Sequence, residues 1–268
     1  MPELPEIEGM ARRLSRSVLG REVMEAEDLS GTATRSYAAI PFREGVVGAR
    51  IDRVGRRAKN LLLSLSTGDT LVMHFMRNGM LDLVPGEAPR RPHTQAAMKL
   101  DDGRELRMVD TMRAGRWTLC AGSDISQVST LKGLGPEYTD PAFTLEYLAG
   151  ALKGKSPVKT VIINQKVVSG IGNGYSHEIL WVAGVLPDRP ANTLTAEEIV
   201  RLHAAIATVF EEAIAAREAS ELETMGDEGW EVASIHRRQN QPCPRCGAPI
   251  QSHKMGGSVI YYCVECQR

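Results

Sequence analysis

The 268-residue sequence has no run of apolar residues approaching bilayer-spanning length. Its first residues also lack the basic, apolar, small-residue order of a secretory signal, so a reducing cytoplasm is the expected setting. Thiols in such a compartment bind metal or do chemistry more often than they pair. There is no internal repeat and no low-complexity tract. Net charge is nearly absent too, at −1, which taken over the whole chain argues against a polyanionic partner.

Charge is scarce only in the sum. Residues 197 to 231 hold ten acids against Arg201 and Arg217, whereas residues 232 to 268 hold five bases against Glu265. Residues 50 to 60 and 151 to 182 form two further basic blocks. Three separated basic blocks either converge on one polyanion, with an acidic helix facing away, or are three solvated faces.

Hydrophobic residues at 43% and charged residues at 24% are ordinary globular values, and the length allows two domains. Residues 21 to 120 read as strands, with apolar runs at 60–65 and 70–75 broken by Gly68-Asp69, Pro85-Gly86 and Asp102-Gly103. Residues 122 to 141 keep no period and hold the expected boundary. Helical patterns follow, the clearest after Thr195, which with Glu198 spells a capping box. A strand-rich unit followed by a helical one is α+β.

Cys243, Cys246, Cys263 and Cys266 form two C-x2-C pairs separated by 16 residues, a spacing that suits one tetrahedral zinc. The intervening PIQSHKMGGSVIYY reads as a hairpin that brings the pairs together. Four thiolates close the shell, so the zinc is expected to be structural and His253 to lie on the surface. Cys120, alone in an apolar strand, reads as core.

MPELPEIEG opens the chain. Pro5 suits a helix start, Glu6 and Glu8 suit the positive end of its dipole, and Ile7, Met10, Leu14 and Val18 form one stripe closed by Gly20. Met1 to Leu4 are left without a role by that reading. Farther on, QKVVSGIGNGY places glycines between two short helical patterns, where backbone N-H groups can approach a phosphate.

PELPE, GRRAKNLLL at 55–63, the arginine loop before Trp117, LGPE at 134–137, QKVVSGIGNGY and the cysteine pairs occur in one order. In that order the chain resembles the Fpg/Nei family of DNA glycosylases, named for formamidopyrimidine-DNA glycosylase and endonuclease VIII. The resemblance implies an N-terminal helix on a β-sandwich (1–128), a helix-two-turns-helix domain (129–231) and a zinc finger hairpin (232–268). It further implies a monomeric glycosylase and AP lyase of base excision repair, acting on duplex DNA with a damaged base or an abasic site.

By the same resemblance, Pro2 is the nucleophile once Met1 is removed, Glu3 the main general acid/base, and Glu6 a supporting carboxylate, alongside its helix-capping reading. Lys59 matches a catalytic-domain lysine on the phosphate beside the lesion. Lys155 and Asn173 match phosphate ligands, and Arg113 the wedge facing the orphan base.

Three places depart from the family pattern. The finger arginine falls on Ser258, and the two apolar fillers of the wedge fall on Arg77 and Ala114. The stretch SELETMGDEGWEVAS is shorter and more acidic than the loop that caps 8-oxoguanine. The alternative function is therefore a damaged-DNA-binding member with weak or altered turnover because Ser258 brings no charge to a phosphate.

Overall fold

The computed structural model describes residues 2–218, 224–225 and 233–268. Met1 and most of SELETMGDEGWEVAS lie outside the described residues. Among these residues no helix is long and apolar enough to cross a membrane. The chain forms two compact units: 1–132 with 214–228, and 133–213 with 229–268.

Helix α1 (Leu4–Val18) opens the first unit. It starts one residue earlier than the Pro5 signal suggests, because extended Glu3 serves as N-cap. The Glu3 carboxylate accepts from the Glu6 backbone, while the Glu6 carboxylate accepts from the Glu3 backbone N-H at 2.9 Å. Two of the helix's orphan donors are thereby satisfied reciprocally. The helix stops at Val18, and Gly20 follows in the left-handed region at φ 77°.

Two five-stranded sheets follow. One has the order β1 (Val23–Asp28), β7 (Thr94–Leu100), β8 (Arg104–Val109), β6 (Met80–Pro85), β10 (Thr224–Met225). The other has the order β2 (Thr34–Ser36), β9 (Arg116–Cys120), β5 (Thr70–His74), β4 (Asn60–Leu65), β3 (Ile51–Arg57). A short helix, α2 (Phe42–Val46), bridges β2 and β3 in sequence. All pairings in these two sheets are antiparallel except β2 with β9.

Alternation along the strands sends Leu61, Leu63, Leu71, Met73, Leu81, Leu106 and Met108 into one core with Trp117. The apolar stripe of α1 (Ile7, Met10, Leu14, Val18) is buried in the same core. Cys120 is fully buried, and burial pushes its thiol up to about 11, so it is an inert core residue.

In the second unit lie α3 (Leu145–Ala151), α4 (Val158–Ile162), α5 (Asn173–Ala183) and most of α6 (Ala196–Glu218). The capping box before α6 is present: Thr195 N donates to Glu198 Oε2 at 2.8 Å, and Glu198 N to Thr195 Oγ1 at 3.3 Å. Strands β11 (Gln251–Met255) and β12 (Ser258–Tyr262) pair antiparallel as the expected hairpin. Gly256 and Gly257 close it, both at positive φ, the geometry a two-residue hairpin turn demands.

Candidate active site, hinge and metal centre

The capping box that starts α1 also assembles the first cluster. Pro2, Glu3 and Glu6 are all buried, which is unusual for carboxylates without partners. Glu6 holds Glu3 N through Oε2 and accepts from Arg217 Nε through Oε1 at 3.2 Å. Arg217, near the end of α6, is itself 5% exposed.

Lys59 reaches the same place from the β3–β4 hairpin. The turn is only Ala58-Lys59, with Arg57 opposite Asn60 and Ala58 at φ 50°. Burial pushes the Lys59 ammonium down, and the charges of Glu3 and Glu6 oppose that shift. His74 is pushed down to about 4, by burial first and by Lys59 second, so it is neutral at pH 7. Its Nδ1 accepts from Met76 N at 3.1 Å. The β3–β4 hairpin is anchored on α1 by Arg56, whose Nε donates to Glu8 at 2.6 Å.

Arg77 and Arg113 sit on two exposed loops that Asn78 Nδ2 and Thr111 Oγ1 join at 3.5 Å. The Arg113 loop is folded around one carboxylate. Fully buried Asp110 accepts from Met112 N at 2.9 Å and from Ala114 N and Gly115 N at 2.7 Å each. Arg113 therefore projects from a fixed tip at φ 53°. Each of these loops exposes a thioether one residue ahead of its arginine, Met76 and Met112. Beside the loops a cavity of about 220 Å³ is lined by Arg35, Tyr37, His74, Met76, Arg116 and Thr130, with no carboxylate in its wall among the described residues.

Asn173 is the first residue of α5, and its orientation is set by a lysine the sequence reading did not single out. Lys159, 2% exposed, donates from Nζ to Asn173 Oδ1 at 2.8 Å. The Asn173 Nδ2 is then turned toward the hairpin, 3.5 Å from Val259 O, next to Ser258. Only the position of Lys159 inside a short amphipathic helix could have flagged it. Lys155 stands exposed in the turn before α4, with no hydrogen bond to Asn173 among the described residues.

The glycine-rich loop is held from two sides. Gln165 Nε2 donates to Ile163 O and Ile171 O, and Gly170 N donates to Gln165 Oε1. From LGPE, Gly135 N donates to Gln165 O at 2.8 Å, and a Cβ there would lie 2.5 Å from Lys166 O. The two sequence blocks thus occur together because one backbone packs on the other.

The four cysteine sulfurs lie within 4.8 Å of one another. Separations of 3.8 Å for Cys243 and Cys266 and 3.4 Å for Cys246 and Cys263 are close to the edge of about 3.8 Å that a tetrahedron of zinc–sulfur bonds requires. They are far too long for disulfides, whose sulfurs sit about 2.05 Å apart. Against burial, backbone N-H groups of Arg245 and Cys246 bring the Cys243 thiol down, whereas burial and the neighbouring sulfurs push Cys263 and Cys266 up. Four sulfur donors at these separations fit a thiophilic cation. His253 stays on the hairpin face, bonded to Tyr262 rather than to the cluster.

A helix-capped, strand-rich first unit and a helical second unit ending in a four-thiol hairpin define an α+β protein with a metal-binding finger, and known proteins supply the family. Residues 1–117 match the formamidopyrimidine-DNA glycosylase N-terminal domain and residues 134–224 its H2TH domain. The formamidopyrimidine-DNA glycosylase of Desulforamulus reducens is 34% identical over 275 residues, covering 100% of this chain and 99% of that protein. That of Moorella thermoacetica is 37% identical over 257 residues, covering 94% of each. Among solved structures, MutM (Fpg) of Thermus thermophilus superposes with a TM-score of 0.85 at 31% identity, covering 99% of this chain and 98% of that one. The Lactococcus lactis Fpg in complex with abasic-site DNA gives 0.89 at 28% identity, with both chains fully covered.

The chain belongs to the formamidopyrimidine-DNA glycosylase family. It is an Fpg-type DNA glycosylase of base excision repair, with the AP lyase activity typical of that family.

Proposed function

We propose that the protein removes an oxidised base from duplex DNA through a Schiff base at Pro2 and cuts the strand by β,δ-elimination. With Met1 removed, the secondary amine of Pro2 titrates near pH ~8, low enough to be partly neutral in the cell. Its lone pair attacks C1′ as the C1′–base bond breaks and the base leaves with a proton. The amine then gives up its own proton, the C1′–O4′ bond breaks with O4′ protonated, and the iminium that results acidifies C2′, so that loss of a C2′ proton expels the 3′ phosphate and a second such elimination the 5′ phosphate. Glu3 supplies and takes the protons at the sugar, Glu6 fixes the peptide that carries the amine, and Lys59 balances their charge and meets the adjacent phosphate.

The observation that supports this reading is the reciprocal cap of Glu3 and Glu6 directly after Pro2, whose charges are felt at Lys59. Asn173 and Lys155 grip phosphate, Arg113 and Arg77 enter the vacated stack, and the neighbouring thioethers fill it. The cysteines would hold one structural zinc, which organises the hairpin and takes no part in the reaction. The partition 1–128, 129–231 and 232–268, action as a monomer, and residence in the bacterial cytoplasm belong to the same reading.

Borohydride reduction on an abasic duplex, followed by peptide mapping, tests it. The adduct is expected on Pro2, and an adduct on Lys59 instead would overturn the assignment. One observation favours a second reading, a damaged-DNA binder with reduced turnover: Ser258, at the hairpin turn, brings a hydroxyl where the family brings a guanidinium. Tight binding of abasic duplex with no adduct at all would decide for it.

A further inference from the structure

We propose that Arg217 is a positioning residue for the Pro2 chemistry and that Gly9 is glycine to admit it; this rests on the function proposed above. The chain of contacts is short. Arg217 Nε donates to Glu6 Oε1 at 3.2 Å, and Glu6 Oε2 accepts from Glu3 N at 2.9 Å. Glu3 N is bonded to the Pro2 carbonyl carbon, so the carboxylate that Arg217 grips is the one from which the reacting residue hangs. A side chain with a single rotatable hold would let that peptide swing; a carboxylate clamped through both oxygens does not.

Gly9 lies one turn along α1 from Glu6. A Cβ placed on it would stand 2.8 Å from Arg217 Cβ, closer than real Cβ atoms approach. The obstacle is the root of the arginine side chain, so only a shift of α6 could relieve it. Glycine inside a helix is less favourable than alanine, and the close approach of Arg217 accounts for it here.

The two helices are also fastened on their outer side. Arg12 Nη1 donates to Glu218 at 2.7 Å, and Arg16 pairs with the same carboxylate. These groups are half exposed and contribute little. Mere attachment of α6 to α1 is thus served next door by Glu218, while Arg217 alone in this pair reaches a carboxylate of the cluster. Charged groups facing that carboxylate include Lys59 on the β3–β4 turn and Arg217 on α6, beside Glu3, the N-cap of α1.

The test is single-turnover nicking and borohydride trapping on abasic duplex, with duplex affinity measured in parallel. Arg217→Gln should slow the chemical step by about tenfold to a hundredfold, the scale of a small misplacement, with affinity unchanged. Arg217→Lys, which keeps charge and one donor, should recover part of the rate. Gly9→Ala should reproduce the loss in the wild-type background and add nothing to Arg217→Gly.

If Arg217→Gln and Gly9→Ala both fold and turn over at the wild-type rate, the assignment is overturned. It is overturned as well if they lose affinity in step with rate. If the wild type itself forms no adduct, the proposed function falls and this assignment with it.

Discussion

The N-terminal cluster and the cysteine hairpin solve the same problem, holding a few polar groups at fixed separations, by opposite means. At the hairpin the ligands come in two local pairs, Cys243 with Cys246 and Cys263 with Cys266, and a glycine turn does the rest. At the N-terminus Glu3 and Glu6 are local, but Lys59 and Arg217 arrive from a distant turn and a distant helix. Covalent spacing fixes the first site; tertiary packing completes the second.

Three experiments sharpen that contrast. The largest effect is expected at the hairpin, which should fail as a unit. Structural zinc contributes on the order of 10 kcal/mol of apparent binding energy, so Cys243→Ser should take metal content from one per chain to near none. Duplex binding should go with it. Elemental analysis and fluorescence of Trp181, which stacks under Arg245 in that cluster, report both.

Next is Lys159→Met, which leaves Asn173 Oδ1 without its ammonium donor. A hydrogen bond to a charged group is worth about 1.5 to 3 kcal/mol, so affinity for duplex should fall by about tenfold or more with zinc content intact. Fluorescence anisotropy at fixed salt reads this. Equal loss of zinc would show that hinge and hairpin are one site rather than two.

Smallest is Ser258→Arg. Restoring a guanidinium at the turn should steepen the slope of log affinity against log salt by about 0.9, one added phosphate contact, and raise affinity at low salt. An unchanged slope would mean that the hairpin turn does not meet the backbone.

Much of this was legible in the sequence, and the exceptions have a common cause. The strands at 60–65 and 70–74, the cap at Thr195 and Glu198 and the hairpin from 251 to 262 depend on neighbours in the chain, and the residue patterns announced them. The cap of α1 was only half visible. Its acceptor is Glu3 rather than a serine or threonine, so the usual signature was missing and the helix start moved by one residue.

Lys159 read as one more charge in a basic block, because nothing local shows that its stem is buried or that its ammonium meets Asn173. Arg217, 211 positions from Glu6, sat in an acidic stretch where one of two bases draws no notice. Met76 and Met112 drew no notice because the family pattern points to Arg77 and Ala114; their exposure picks them out.

The carboxylate of Asp110 anchors its loop through backbone N-H groups alone, without using any side chain at the tip. Met112 and Arg113 can therefore be exchanged for other residues as a reading head is swapped on a fixed socket. On the function proposed above, in which Arg113 enters the vacated stack, a lineage could retune which opposing base it accepts by changing those two letters, leaving the sandwich beneath untouched.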